Sequence, residues 1–230
     1  MILKFRSRSD RTTFKPYAFF NPDSETQVTH GNLPHWEQRD AIYFITFRTA
    51  DSMPEHIVDK WIAERDEWLN YHGINPDQDD WRRFVEELPD SERLEFHREF
   101  TTKWHQELDS GHGECVLRQP ELAGIVAGSL KYFHGERYHL FAFVVMPNHV
   151  HVLTGMNGRG AMKEQCRSWK KWTATEINRR LKRRCEFWQT ESFDHLVRSE
   201  GSFHKFRRCI EENPVKARLR DGGYVLYVEE

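Results

Sequence analysis

His149 and His151, one residue apart in a chain of 230, are the pair best spaced to do chemistry. They follow the turn Met146-Pro147-Asn148 and open a run of valines and leucine that reads as a strand. Alternate residues of a strand point to one face. Both imidazoles therefore project together, with Val150 and Val152 on the other side. Two such nitrogens can share one divalent cation when a further ligand and water complete its shell. The plainer alternative is two ordinary strand histidines, and the pair alone leaves it open. A second feature is a basic run made of Lys163, Arg167, Lys170, Lys171, Arg179, Arg180, Lys182, Arg183 and Arg184, interleaved with Trp169 and Trp172. Such cations neutralise phosphates, and exposed aromatics stack on unpaired bases. The alternative is a solvated helix with both tryptophans in the core. His112, His134, His139 and His195 read as structural or surface residues.

These groups need elements to position them. Ala41 to Arg48 (AIYFITFR) mixes β-branched and aromatic residues and predicts a buried strand. Glu55 to Asn70 and Asp79 to Glu107 predict charged helices, with a glycine-rich loop at Asp109 to Gly113. Pro120 opens a helix, and Leu122, Ile125, Val126, Leu130 and Phe133 recur on one of its faces. Tyr138 to Val145 and His149 to Thr154 form a hairpin. Asn157 to Gly160 is a loop, and Met162 to about Arg184 is a long basic helix. A short strand falls at His195 to Arg198. Ser199 caps a helix from Glu200 to about Glu212, which Pro214 helps to end. The order predicts an α+β fold, a ferredoxin-like antiparallel sheet covered by helices. Residues 36–220 form one domain, with a helical insertion at 51–110 after the first strand. Residues 1–35 are an irregular lead-in, and 221–230 a tail or edge strand.

Composition narrows the class. Hydrophobic residues make up 38% and aromatics 13% of the chain, enough for a real core, which excludes a disordered protein. The net charge of -2 announces no nucleic-acid binder, but its distribution is uneven. Acids such as Asp77, Asp79, Asp80, Glu86, Glu87 and Asp90 crowd the first half, while bases dominate from Lys163 to Arg220. That asymmetry permits a local basic face on a near-neutral protein. Cys115, Cys166, Cys185 and Cys209 form no CxxC pair, which argues against a zinc ribbon and fits a reducing compartment. No apolar stretch approaches membrane-spanning length and no signal core opens the chain, so a soluble, cytoplasmic protein is expected.

Four segments, in order, carry a family likeness. VVMPNHVHVLTG (Val144–Gly155) holds the histidine pair. LPHWEQRDAIYFITFRTADSMP (Leu33–Pro54) covers the first strand and its flanks. ELDSGHGECVLRQPELA (Glu107–Ala123) leads into the Pro120 helix. FWQTESFDHLVRS (Phe187–Ser199) is followed by ENPVKARL (Glu212–Leu219). Together, over about Thr29 to Leu219, they resemble the REP-associated tyrosine transposases, a branch of the HUH (His-hydrophobic-His) single-strand nucleases. The resemblance implies a ferredoxin-like core with the histidine strand central. It implies a divalent metal, Mg or Mn, held by His149, His151 and a polar residue on a catalytic helix, here Asn213. It implies a tyrosine four residues earlier that attacks a DNA phosphodiester, forming a 5′-phosphotyrosine and freeing a 3′-hydroxyl.

At that tyrosine position this chain has Cys209. Residues 209 and 213 stack one turn apart on a helix, so the frame is kept and the nucleophile changed. A cysteine is shorter than tyrosine by a ring and would form a weak phosphorus–sulfur ester. The implied function is action on single-stranded or hairpin (REP-type) DNA by metal-assisted strand cleavage and joining; with cysteine at 209, DNA and metal binding are expected to be kept and covalent cleavage lost or nearly lost. The alternatives are a domesticated non-catalytic DNA-binding protein on the same fold and, after it, a metal hydrolase of small phosphoesters. The last lacks a carboxylate motif near the histidines. Tyr224 and Tyr227 are either substitute nucleophiles or part of a packing strand (GYVLYV). The partner is DNA, with no membrane, and the chain is a monomer or homodimer.

Overall fold

The computed structural model describes residues 17–30, 34–78, 80–103, 107, 111–158 and 161–230. Most of the expected lead-in, and parts of the loops expected at 109–113 and 157–160, lie outside them. The described chain divides into two compact units, one made of the residues up to Ala50 with Cys115–Glu230, the other Asp51–Glu114.

The larger unit is α+β. Strands β3 (Ile42–Arg48), β4 (Tyr138–Val145), β5 (His149–Met156), β6 (Phe193–Leu196) and β7 (Val225–Val228) form one sheet in the order β6-β3-β5-β4-β7. All its neighbouring pairs are antiparallel. The centre is β5, whose eight residues are all buried. Helices cover both faces. Against one face lie α4 (Pro120–Tyr132) and α5 (Ala161–Arg180), packing Leu122, Val126, Leu130, Cys166 and Trp169 on Tyr43, Ile45, Phe47, Phe143, Val150 and Val152. Against the other lies α6 (Glu200–Lys216), packing Phe203, Phe206 and Ile210 on Ile42, Phe44, Ala142, Val144 and Leu153. A register shift between Leu140 and Ala142 lets β4 keep both alternations. Gly155 is needed where it stands: the Tyr17 ring lies across it, and a Cβ there would collide with the ring.

The smaller unit contains α1 (Glu55–Tyr71), α2 (Trp81–Glu87), α3 (Asp90–Phe96) and a π-helical turn, His97–Thr102. Pro89 separates α2 from α3, so the long charged helix expected there is broken. The unit has its own core of Leu69, Ile74, Trp81, Val85, Phe96 and Phe100. Arg65 lies over the rings of Trp61 and Trp81, at 5.2 and 5.1 Å.

Several boundaries differ from the sequence expectation. Thr26–His30 (β1) and Pro34–Gln38 (β2) pair as an antiparallel ribbon, where the polar sequence reads as an irregular lead-in. Gln38 explains part of this. Its carboxamide bonds Asn21 and Thr26, and its backbone N–H donates to the Tyr43 hydroxyl at 2.8 Å. The β6 strand begins two residues earlier than expected, at Phe193. The basic helix stops at Arg180 and does not reach Arg184. There Lys182 takes the left-handed conformation (φ 54°), Lys182 N–H donates to Arg179 O, and Arg183 N–H to Asn178 O. This is a Schellman ending with lysine where glycine is usual. Pro214 lies inside α6 and does not end it. Its fixed φ suits a helix, but it gives up the bond to the Ile210 carbonyl and crowds that carbonyl with its ring. Ala217 N–H still donates to Asn213 O at 3.0 Å, so Asn213 is an interior residue of α6.

Candidate functional site

The histidine pair arises from β5. His149 stands opposite Arg48, and His151 opposite Thr46 and Val144. On a pleated strand that pairing sends both imidazoles to the α6 side, with Val150 and Val152 on the other. The rings are 4.8 Å apart, centroid to centroid, and inclined at 70°. Both residues are buried, at 2% and 6% exposure.

Each ring has its Nδ1 occupied. Asn148 Oδ1 lies 2.8 Å from His149 Nδ1, and Thr46 Oγ1 lies 2.7 Å from His151 Nδ1. A carboxamide oxygen only accepts, so His149 Nδ1 carries the proton and Nε2 the lone pair. That Nε2 is buried without a well-formed hydrogen bond, although the Asn213 side chain is near enough to act on the ring. His151 Nε2 faces Asn213, whose Nδ2 lies 3.4 Å away and donates to it. Both histidines are thus held in the tautomer that presents Nε2, in the way a bond to the other ring nitrogen orients metal-ligating imidazoles. Burial lowers the pKa of both. His151 is brought to about 3, with the charge of Arg48 adding to the effect. For His149 the neighbouring His151 and then Arg48 follow burial as causes, with the Asn213 side chain acting weakly against them. Both rings are therefore neutral at pH 7; the His151 Nε2 lone pair accepts from Asn213, so a cation there would displace that bond and turn the amide oxygen inward.

Helix α6 supplies the third side. Ser199 starts it, its Oγ accepting Ser202 N–H at 3.2 Å. Phe206 stacks on Phe44 at 4.4 Å, and Phe44 stacks on His151 at 5.3 Å, so the helix is seated by aromatic contact. Asn213, 9% exposed, then reaches the histidines. Cys209 lies one turn earlier, half-buried and packed on the apolar cluster beneath α6. Tyr224 packs against this same cluster. Tyr227 stacks on Phe143 at 5.2 Å, on the opposite face of the sheet from the histidines.

The basic run splits. Lys163, Arg167 and Lys171 line a groove of about 540 Å³ between α5 and the segment from Cys185 to Asp194. Lys170, in the same stripe, is committed: its Nζ donates to the carbonyls of Gln189 (3.0 Å) and Thr190 (2.7 Å), and burial lowers its pKa. Arg179 pairs with Glu176 at 2.9 Å. Arg180, Lys182 and Arg184 are exposed, and Arg183 sits over Phe187 at 6.0 Å. The two tryptophans also separate. Trp169 is buried and donates to the Tyr138 hydroxyl at 3.1 Å, while Trp172 is half exposed. In the floor of the groove, His35 is bonded to the buried Asp194 carboxylate.

Sequence reasoning missed Thr46, Arg48 and Asn148. Their signal was faint: Asn148 adjoins His149, and Thr46 and Arg48 alternate with Phe44. It also read His134 and His139 as structural. These two, with Glu229, form a second cluster whose ligand atoms lie within 4.8 Å of one another, and this cluster can hold a divalent cation.

No protein-family profile matches the chain, and no curated protein does. Among solved structures, the chain has a distant likeness to a REP-associated tyrosine transposase bound to a REP hairpin. The two are 15% identical with a TM-score of 0.39, over 78% of this chain and 69% of that one. Among the described residues, no helix is long and apolar enough to cross a membrane.

Proposed function

We propose that the chain is an HUH-type, single-strand DNA-binding protein that acts on hairpin (REP-type) DNA through a metal site made of His149, His151 and Asn213. The observation that carries this reading is the buried Nε2 of His149, without a well-formed hydrogen bond, beside His151 Nε2 and the Asn213 carboxamide. A buried polar atom so placed calls for an explanation, and a cation fits the donor set. Two imidazoles and one amide oxygen favour Mn over Mg. The element order β3-α4-β4-β5-α5-β6 is the β-α-β-β-α-β pattern of ferredoxin-like folds, which supports the finer fold reading. Residues 36–220 then form one such domain, carrying the helical unit as an insertion.

A bound cation would polarise a phosphoryl oxygen. Asn148 and Thr46 keep the imidazoles oriented, and burial keeps them neutral. Arg48 adds a fixed positive charge for the phosphate. Lys163, Arg167 and Lys171 hold backbone phosphates along the groove, and Trp172 offers a face for an unpaired base. Cys209 occupies the position from which the family's tyrosine attacks. It leaves binding in place and removes covalent cleavage, so the protein works as a binder on a transposase frame.

The test is a denaturing gel. Wild type and Cys209→Tyr are incubated with Mn and single-stranded hairpin DNA. The expected result is a covalent adduct with Cys209→Tyr alone. Robust DNA linked to Cys209 would overturn the assignment of lost cleavage. Absence of hairpin binding by either protein would overturn the DNA reading itself.

A further inference from the structure

A second pair of imidazoles lies at the far end of β4, one on the strand and one in the turn before it. His139, on β4, stands opposite Gly155, four residues along β5 from His151. At roughly 3.3 Å per strand residue, about 13 Å separates those positions, so the two sets cannot share one ion. His139 is buried, and its Nε2 lies 2.7 Å from Glu229 Oε2. The His134 ring, from the turn after α4, has its centroid 5.0 Å from that of His139. Glu229 is itself anchored. Its N–H donates to Phe141 O at 2.9 Å, and its carbonyl accepts from Arg207 of α6 at 3.0 Å.

We propose that His134, His139 and Glu229 bind a transition-metal cation of the zinc class. Two histidines and a glutamate, with water in a fourth position, are a zinc donor set. The ion coordinates His139 Nε2 and the Glu229 carboxylate in place of the hydrogen bond between them: the ring proton passes through solvent from Nε2 to Nδ1, so the imidazole stays neutral. Binding also competes with one existing bond, since His134 Nδ1 accepts Leu140 N–H at 3.0 Å. The site is accordingly weaker than a closed structural zinc site. Its role is a clasp. It pins the end of β7 to β4 and to the turn before it, and through Arg207 it steadies the helix that carries Cys209 and Asn213. None of this rests on the DNA reading.

The experiment is zinc titration by calorimetry, with thermal unfolding recorded alongside. It compares wild type with Glu229→Gln, which keeps the size and an accepting oxygen. The expected result is one equivalent fewer bound by Glu229→Gln, with an unchanged melting temperature when metal-free and a smaller rise on adding zinc. The same comparison in a His149→Ala/His151→Ala background should give one equivalent against none. Equal stoichiometry and affinity in both members of a pair would overturn the clasp, whatever the hairpin assays show. If Glu229→Gln melts lower without metal, His134→Gln replaces it, and the same loss of one equivalent is required.

Discussion

The two faces of the central sheet are built from the same strands but not from the same chemistry. On the α4/α5 face, β5 contributes Val150 and Val152, and β3 contributes Tyr43, Ile45 and Phe47, all in apolar contact. On the α6 face, the alternate residues of those strands include Thr46, Arg48, His149 and His151, also buried. Burying polar groups costs stability unless they are paired. Here most are paired, and one imidazole nitrogen lacks a well-formed bond. The first face is dry, in the sense of apolar, along these strands; the second, wet only in being polar, adds these buried polar groups to an apolar cluster of its own.

The sharpest way to break the comparison is to damage the dry face. Trp169→Ala removes a fully buried indole and its bond to Tyr138, so a loss of about 3–5 kcal/mol is expected in denaturant unfolding. Asn148→Ala on the wet face should behave differently. It leaves the apolar core intact but releases the His149 ring, and metal affinity measured by calorimetry should fall about 10- to 100-fold. A loss of stability as large as that of Trp169→Ala would erase the distinction.

Acid separates the faces next. The folded pKa of His151 is lowered from 6.5 to about 3, so between those values the unfolded chain binds a proton that the folded chain refuses. Stability then rises with pH, is complete above about 6.5, and is lost as pH falls toward 3. Between pH 7 and 5 the chelator-treated protein should lose about 2 kcal/mol from His151, and His151→Gln should flatten that slope. The smallest effect is expected at the helix that closes the wet face. Ser199→Ala removes the cap of α6 and should cost about 1 kcal/mol. Because α6 carries Asn213, metal affinity should fall with it.

The dry face was the more legible of the two from sequence. Hydrophobic alternation located β3, β4 and β5, and the helical spacing after Pro120 located α4, because burial writes itself as periodicity. His149 and His151 were legible for the same reason, since a two-residue period fixes a shared face. Asn148, Thr46 and Arg48 were not, because their role comes from strand register, which joins residues about a hundred positions apart. Glu229 joins His139 the same way, through an edge strand that the sequence left as either tail or strand. Helix ends were the other weak point. Pro214 reads as a stop but sits inside α6, and Lys182 ends α5 in a conformation its residue type does not advertise.

Lys182 has a consequence of its own. A left-handed lysine is strained by roughly 1–2 kcal/mol relative to a glycine in the same place. Lys182→Gly should therefore raise the melting temperature while it deletes a positive charge, so hairpin affinity should drop and depend less steeply on salt. The end of the basic helix would then be a point where firmness and grip trade against each other, set by one side chain.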